Sequence, residues 1–235
     1  MTDRIVLVTG GSKGIGLAAA QAFLAEGCHV HVCARSDPGD LPAGLVFHQC
    51  DVGKAASIRA MFAAIGGRLD VLVNNAGISG VNPLDAEGGD EIWDKILGIN
   101  LTGTYLCSKA ALPLLPDGTG RIVNVSSSLG LHGSPDQSAY CAAKHGVVGF
   151  TRALALSLAP RGITVNAVCP SWVDTDMAAR RWREIGMTRE DAAADTPSRR
   201  IASPEDIAAT ILFLASPGAR HINGQAIPID GGESA

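Results

Sequence analysis

Near its start the chain carries a short β-branched run, a glycine-rich turn and a helical pattern, and this succession constrains the fold more than any other feature. The run is RIVLV (4–8), the turn is TGGSKGIG (9–16), and apolar residues then recur at helical spacing until Gly27. Glycine tolerates the positive φ angles that a tight turn needs. A strand that passes through such a turn into a helix predicts the first half of a βαβ unit, and repeated units of this kind require a parallel sheet.

The alternation of strand and helix patterns continues through the 235 residues. Further strands are predicted at 29–34, 45–52, 70–77, 121–127, 162–170 and 224–230, and further helices at 55–66, 90–112, 138–158 and 204–216. Seven strands joined in this way predict a Rossmann-like, doubly wound α/β fold with a seven-stranded parallel sheet flanked by helices. At this length the whole chain, 1–235, is expected to form a single domain. Residues 171–200 are rich in charge and interrupt the alternation, so we expect an insertion that covers the site as a substrate lid.

Composition and charge argue against several classes of protein. The net charge is −4 and the basic residues are scattered or interleaved with acidic ones, so no nucleic-acid partner is expected. No window is long and apolar enough to cross a bilayer, and the first residues do not resemble a signal peptide, so we expect a cytoplasmic protein without a membrane partner. The six cysteines show neither a C-x-x-C pair nor a histidine at ligand spacing, so no metal site is predicted.

The glycine turn also predicts a phosphate site, because backbone can approach a ligand closely there and the following helix presents free N–H groups at the positive end of its dipole. Its spacing, G-x-x-x-G-x-G, resembles that of the short-chain dehydrogenase/reductase family. Further motifs follow in the order of that family: Asp51-Val52, NNAG at 74–77, Asn100, a serine before Tyr140 and Lys144, and CPSWVDTD at 169–176. The resemblance covers nearly the whole chain.

Tyr140 and Lys144 lie one helical turn apart, and their residue types suggest a proton-transfer pair. Side chains at i and i+4 share a helix face. A nearby ammonium favours the phenolate, so we expect Lys144 to lower the pKa of Tyr140 towards the working pH. The resemblance implies a catalytic tetrad of Asn100, Ser127, Tyr140 and Lys144. In it Ser127 holds a carbonyl oxygen that Tyr140 protonates, and Asn100 orders a water relay to the lysine.

The resemblance also implies the residues that contact a nicotinamide cofactor. They are Gly10, Ser12, Lys13, Gly14, Ile15, Gly16, Arg35, Ser36, Asp51, Val52, Asn75, Ala76, Gly77, Tyr140, Lys144, Pro170, Val173 and Thr175. A carboxylate at the end of the second strand usually selects NAD, but Ala34 stands there and Arg35 follows it. Arg35 and Lys13 are suited to bind the additional 2′-phosphate of NADP, so NADP(H) is the expected cofactor.

The activity that the resemblance implies is reversible hydride transfer between NADP(H) and an alcohol/carbonyl pair. We expect a carbonyl reductase, similar to the ketoreductases that act on 3-oxoacyl or polyketide-like substrates. Two alternatives stay open: an oxidative dehydrogenase of a polyol, sterol or ring diol, and a non-catalytic NADP-binding regulatory protein, against which the intact tetrad argues. A homotetramer or homodimer built on the helices at 90–112 and 138–158 is also implied.

Several residues leave the site partly undefined. Ser171 stands where the family usually has glycine, and the connection from Arg35 to the third strand is too short for the helix that the family places there. His132 is expected to be an exposed loop residue rather than a substrate contact. Four lid residues suit either the lining of a substrate pocket or a small core of the lid itself, without preference between the two: Trp172, Met177, Trp182 and Met187.

Overall fold

Seven parallel strands form one sheet in the computed structural model, which describes residues 3–82, 84 and 89–235. The strands are β1 (Ile5–Thr9), β2 (His29–Ala34), β3 (Leu45–Gln49), β4 (Val71–Asn74), β5 (Arg121–Val125), β6 (Thr164–Pro170) and β7 (Ala226–Ile229). Their order across the sheet is β3-β2-β1-β4-β5-β6-β7. The predicted Rossmann-like fold with a seven-stranded parallel sheet is confirmed.

The strand order determines where a ligand can enter. β1 pairs with β2 on one side, where Val6 aligns with Val30, and with β4 on the other, where Val6 aligns with Val71. The chain therefore builds the sheet outwards from β1 to β3 and then returns to extend it in the opposite direction from β4. At this reversal the connections leave on opposite faces of the sheet, which opens a crevice at the carboxyl ends of the strands.

Helices cover both faces of the sheet because its central strands are apolar on both sides. Val6, Leu7 and Val8 are all fully buried. The helices are α1 (Gly14–Ala25), α2 (Ala55–Ile65), α3 (Gly89–Leu97), α4 (Gly103–Ala111), α5 (Ser138–Leu158), α6 (Asp176–Ile185), α7 (Arg189–Asp195) and α8 (Pro204–Leu214). α1 and α8 pack on one face, and α2, α4 and α5 pack on the other. None of the helices in the described part of the chain is long and apolar enough to span a bilayer.

Three strand ends and the course of one helix differ from the prediction near the crevice. β3 ends at Gln49 rather than at 52, β4 at Asn74 rather than at 77, and β5 at Val125 rather than at 127. The predicted helix at 90–112 is interrupted by a π-helical turn, Gly98–Thr102, between α3 and α4. Such turns are frequent at functional sites, and this one contains Asn100. The connection at 35–44 contains no helix, as its length predicts.

The segment 171–200 forms α6 and α7, which enclose a small apolar core of their own. Trp182 is buried in this core, Met187 packs against it, and the ring of Trp172 lies 5.7 Å from that of Trp182. Met177 is outside the core and lines a cavity, whereas Trp172 contacts both the core and the cavity. Both interpretations of the four residues therefore hold in part, each for different side chains.

Candidate active site

Two adjoining cavities open at the carboxyl ends of the strands. The larger, of about 690 Å³, runs from the turn between β1 and α1 across the ends of β2 and β3, and we call it the glycine-turn groove. The smaller, of about 340 Å³, lies between the segment 171–200 and the start of α5, and we call it the lid pocket. The two share Ile15, Asn75, Gly77, Thr175 and Met177, so they form one continuous crevice.

Nearly all of the residues predicted to contact a cofactor line this crevice. The glycine-turn groove is lined by Gly10, Ser12, Lys13, Gly14, Ile15, Arg35, Ser36, Asp51, Val52, Asn75, Ala76, Gly77 and Thr175. The lid pocket is lined by Tyr140, Lys144, Pro170 and Val173. Of the predicted residues, Gly16 alone lines neither cavity.

Gly16 lies behind the turn, where it allows two parts of the chain to approach each other. A Cβ atom at this position would lie 2.4 Å from the backbone oxygen of Gly10 and 2.4 Å from Nδ2 of Asn75. The same Asn75 Nδ2 donates hydrogen bonds to the backbone carbonyls of Thr9 and Gly10, at 2.9 and 3.1 Å. The glycine turn is therefore tied directly to the residues after β4, and this contact leaves no room for a side chain at position 16.

The start of α1 is suited to bind a phosphate. Lys13 is the N-cap residue, and its side chain makes no capping hydrogen bond, so it leaves the N–H groups of the first turn available to a ligand. Gly10, with φ +65°, turns the backbone towards the groove, where a Cβ atom would meet Ala76 at 2.9 Å. An elongated groove with an uncapped helix N-terminus in its wall fits a dinucleotide whose phosphates lie against the turn.

Lys13 and Arg35, the two cations predicted to bind a 2′-phosphate, differ in whether they are already paired. Lys13 Nζ forms an exposed ion pair with Asp176 Oδ2 at 3.1 Å. Within the described residues, the exposed Arg35 guanidinium takes no part in a hydrogen bond or ion pair, although its backbone carbonyl accepts one from Gln49. Arg35 is therefore the readier of the two to bind a phosphate, and Asp176 is a neighbour of the site that the sequence did not reveal.

Tyr140 and Lys144 project from the first turns of α5 into the lid pocket. Lys144 is 4% exposed, and its Nζ donates a hydrogen bond of 2.8 Å to the backbone carbonyl of Val125 at the end of β5. The same nitrogen lies 5.5 Å from the centroid of the Tyr140 ring. The one-turn spacing thus places the ammonium beside the phenol, as the sequence predicts.

Ser127 is the serine that meets the tyrosine. The Ser127 hydroxyl lies close enough to that of Tyr140 to lower its pKa, and Ser127 Oγ accepts a hydrogen bond of 3.1 Å from the backbone N–H of Leu129. The neighbouring Ser126 is committed elsewhere, because its hydroxyl donates to the backbone carbonyl of Lys144 at 2.9 Å. The choice of Ser127 over Ser126 therefore has a structural basis.

Asn100 is close to the site, and its side-chain amide holds the backbone at Ile78. Its Oδ1 accepts from the N–H of Ile78 and its Nδ2 donates to the carbonyl of Ile78, both at 2.8 Å. Gly77 lies between this amide and Lys144, since a Cβ atom on Gly77 would lie 3.2 Å from Asn100 Oδ1 and 3.7 Å from Lys144 Nζ. Asn100 therefore fixes the wall between the two cavities, and its part in a water relay stays a prediction.

Polar residues that the sequence did not suggest also line the lid pocket. Gln137, Arg181 and Glu233 are among them. Arg181 lies in an arginine-rich stretch that resembles a solvated surface, and Glu233 is remote in sequence from every motif. Among residues 3–82, 84 and 89–235, no group of three or more histidine, cysteine or acidic side chains is arranged to hold a metal ion.

Comparison with known proteins decides the family. Residues 10–234 match the family model described as enoyl-(acyl carrier protein) reductase. A 3-oxoacyl-[acyl-carrier-protein] reductase of Synechocystis is 38% identical, over 99% of this chain and 97% of its own length. The chain belongs to the short-chain dehydrogenase/reductase family. A 3beta-hydroxysteroid dehydrogenase of Mediterraneibacter gnavus is 36% identical, over 98% of this chain and 94% of its own.

Solved structures agree with this family assignment. An actinorhodin polyketide ketoreductase variant with NADPH has a TM-score of 0.91 and 38% identity, and the match covers 99% of this chain and 98% of that one. This short-chain dehydrogenase/reductase is accordingly an oxidoreductase that acts on the alcohol/carbonyl pair and uses a nicotinamide cofactor.

Burial, rather than the ammonium, dominates the proton affinities at the active site of this short-chain dehydrogenase/reductase. Burial raises the pKa of Tyr140 to about 12, although the hydrogen bond from Ser127 acts in the opposite direction. Burial likewise lowers the pKa of Lys144 to about 8. The expectation that Lys144 brings the pKa of Tyr140 towards neutrality is therefore wrong for this structure. Surroundings of low polarity favour the neutral forms of both groups.

Proposed function

We propose that this protein is an NADP(H)-dependent carbonyl reductase that acts on a ketone of the 3-oxoacyl or polyketide-like type. One observation carries the proposal: Ser127 and Tyr140 lie side by side in a pocket that suits a substrate, and this pocket adjoins a groove that suits a dinucleotide. The tetrad predicted from the sequence, Asn100, Ser127, Tyr140 and Lys144, is the proposed catalytic group.

In the reductive direction the substrate oxygen accepts hydrogen bonds from the hydroxyls of Ser127 and Tyr140. The reduced nicotinamide supplies the hydride that adds to the carbonyl carbon. Tyr140 donates its phenolic proton to the oxygen as negative charge develops there. Because its pKa is about 12, the tyrosine holds this proton at neutral pH and is ready to act as the acid. The nearby Lys144 stabilises the phenolate that remains until a proton returns from solvent.

The preference for NADP(H) is supported by the adenosine end of the groove. Ala34 and Arg35 both line it, and the Arg35 side chain has no other partner within the described residues. We expect kcat/KM for NADPH to exceed that for NADH. An Ala34→Asp variant, which supplies the carboxylate that NAD-dependent relatives use, should reverse the preference. Equal use of both cofactors by the parent protein would contradict the proposal.

The substrate class is supported by the character of the lid pocket and by the relatives. Apolar side chains of Leu129, Trp172, Val173, Met177 and Ile185 surround the two hydroxyls, which suits an extended or ring-shaped carbon skeleton. The Synechocystis relative is named for a 3-oxoacyl substrate and the solved neighbour for a polyketide one. The segment 171–200 is proposed to act as the lid over this substrate, within a chain that folds as one domain.

The test is NADPH oxidation with a panel of 3-oxoacyl thioesters, cyclic ketones and aldehydes, run beside the Tyr140→Phe variant. Turnover by the parent that the variant lacks would support the proposal. The alternative is oxidation of a sterol or ring diol, which the steroid dehydrogenase relative favours. Oxidation of sterols and ring diols with NADP⁺ tests this alternative. Tight binding of NADPH without turnover in either direction would instead indicate a regulatory protein.

A homodimer or homotetramer is proposed on the strength of apolar side chains at the surface of α4 and α5. Tyr105 is 44% exposed and Leu156 is 79% exposed, and the Tyr105 ring packs edge-on against Phe150 at 6.0 Å. These residues give the two helices an apolar outer face. Light scattering that shows a monomer at assay concentration would contradict this proposal.

A further inference from the structure

A cluster of three polar side chains lies at the edge of the lid pocket near the last strand. Glu233, which follows β7, lines the pocket together with Ser127 and Tyr140. The Ser171 hydroxyl donates a short hydrogen bond to Glu233 Oε2. His132 Nε2 lies 3.4 Å from the other carboxylate oxygen, Oε1. Residues from three separate loops thus meet at one carboxylate in the substrate cavity.

The backbone holds this carboxylate in place. Ser171 directly follows β6, and its N–H donates to the carbonyl of Ile229 in β7 at 3.3 Å. The turn that carries Glu233 is fastened by Asp230, whose carboxylate accepts from the N–H of Gly232 at 3.0 Å and of Ser234 at 3.1 Å. Glycine at position 171, which the family usually has, would lack the hydroxyl donor. The serine therefore gives this chain a means of orienting Glu233.

Glu233 differs from Arg181, a charged lid residue that lines the same pocket, in how its charge is paired. Arg181 donates to Asp136 Oδ2 at 2.5 Å, so this carboxylate offsets its charge. Glu184 lies 3.6 Å from both Arg181 and Arg180. The partners of Glu233 are the neutral hydroxyl of Ser171 and the imidazole of His132, which is charged only when protonated. Among the described residues no lysine or arginine pairs with Glu233, so the pocket presents a negative charge to a substrate beside Ser171.

We propose that Glu233 is a specificity-determining residue: it accepts a hydrogen bond from a neutral donor on the substrate, such as a hydroxyl or amide, and rejects substrates that carry a carboxylate at that end. A like charge at the edge of an enclosed pocket disfavours one substrate without a cost to the other. This inference rests on the proposed carbonyl reduction and specifies which ketones the pocket accepts.

The test uses pairs of ketones of increasing chain length that end either in a carboxamide or in a carboxylate. The two termini have nearly the same shape, so the ratio of their kcat/KM values isolates charge and hydrogen bonding. For the pair whose length reaches Glu233, we expect the parent to prefer the amide by about tenfold or more. Glu233→Gln should bring the ratio close to one, chiefly by raising kcat/KM for the carboxylate.

Two further variants control this result. Glu190→Gln removes a carboxylate at the start of α7 that lies outside the pocket lining, and it should leave the ratio unchanged. Ser171→Ala keeps the charge of Glu233 but removes its hydroxyl partner, and it should give an intermediate ratio. A ratio in Glu233→Gln equal to that of the parent overturns the inference, even if the ketones are good substrates.

Failure of the proposed function gives a different result. If no ketone is turned over, carbonyl reduction itself fails. Calorimetric binding of the same amide and carboxylate pairs to the protein loaded with NADPH still tests Glu233. Tighter binding of the amide that disappears in Glu233→Gln supports the residue's selectivity, and equal binding in both proteins excludes it.

Discussion

The glycine-turn groove and the lid pocket meet in one crevice, yet they are built in different ways. The groove is lined mainly by short segments that follow the carboxyl ends of β1, β2, β3 and β4, where the fold itself brings them together, and residues 174–177 of the lid and the start of α8 lie at its edge. The lid pocket combines residues after β5, the start of α5, the lid and the turn after β7. The first is a property of the doubly wound sheet, and the second depends on contacts between loops of this particular chain.

The two regions also differ in how exposed their titratable side chains are. Lys13 and Arg35 in the groove are exposed, and solvent screens them. Lys144 in the lid pocket is buried and Tyr140 is partly buried, and their pKa values move to about 8 and about 12. Charges in the groove are thus suited to bind a polar ligand with modest energies, whereas those in the pocket are poised for proton transfer at a cost to stability.

The largest expected effect is that of removing the acid in the pocket. Tyr140→Phe deletes only the hydroxyl, so kcat should fall by about 10³-fold or more while the dissociation constant of NADPH stays within about twofold. The chain has two tyrosines, and Tyr105, exposed on α4, is the matched control. Steady-state kinetics and a fluorescence titration would measure both quantities. A comparable fall in kcat for Tyr105→Phe would show that the hydroxyl of Tyr140 has no particular part in the reaction.

The cost of burying Lys144 should appear in the pH dependence of stability. Between pH 8 and 10.5 the unfolded chain binds the Lys144 proton more tightly than the folded protein does, so the free energy of unfolding of the parent rises with pH through this window. Lys144→Met lacks the titration. Its stability relative to the parent should therefore decrease by about 3 kcal/mol between pH 7 and pH 10.5.

Urea unfolding of both proteins across this pH range measures the difference. Because the pKa of Tyr140 is raised by folding, its titration lowers the free energy of unfolding as the pH rises above the unfolded value of 10.0. Both proteins contain Tyr140, so this effect cancels in the comparison. Parallel stability curves for the parent and Lys144→Met would mean that the folded protein does not lower the pKa of the lysine.

In the groove we expect smaller effects, and unequal ones for the two cations. Arg35→Ala should raise KM for NADPH about tenfold and leave KM for NADH nearly unchanged, because a guanidinium–phosphate contact is lost. Lys13→Ala should raise KM for NADPH only about threefold, since the ion pair with Asp176 already engages the lysine. An equal rise for NADH in Arg35→Ala would indicate that the arginine does not contact the 2′-phosphate.

The smallest effect should come from the residue that restrains Lys13. Asp176→Asn removes the ion pair of 3.1 Å and leaves Lys13 available for the cofactor. KM for NADPH should then fall by about two- to threefold, a change within the usual worth of an exposed ion pair. The double variant Lys13→Ala/Asp176→Asn should lose this gain. If Asp176→Asn improves binding without Lys13, the cause lies elsewhere in the lid.

Local patterns in the sequence determined much of the fold and of the groove. The period of apolar residues specifies strands and helices, glycine specifies the turn at 9–16, and the i, i+4 spacing places Tyr140 beside Lys144. Each of these depends on residues close together in the chain. The boundary predictions that failed have a cause outside the apolar pattern: after β3 and β4 the backbone N–H groups of Asp51 and Asn75 donate to the side chains of Ser57 and Thr9 at the crevice.

The tertiary structure alone decided the chemistry of the pocket. The pKa of Tyr140 is raised by burial, which depends on how α5, β5 and the lid pack together. The pairing of Lys13 with Asp176 and the cluster of Ser171, His132 and Glu233 join residues that lie tens of positions apart or more. Desolvation and long-range contacts exist only once the chain has folded, and no spacing between neighbouring residues encodes them.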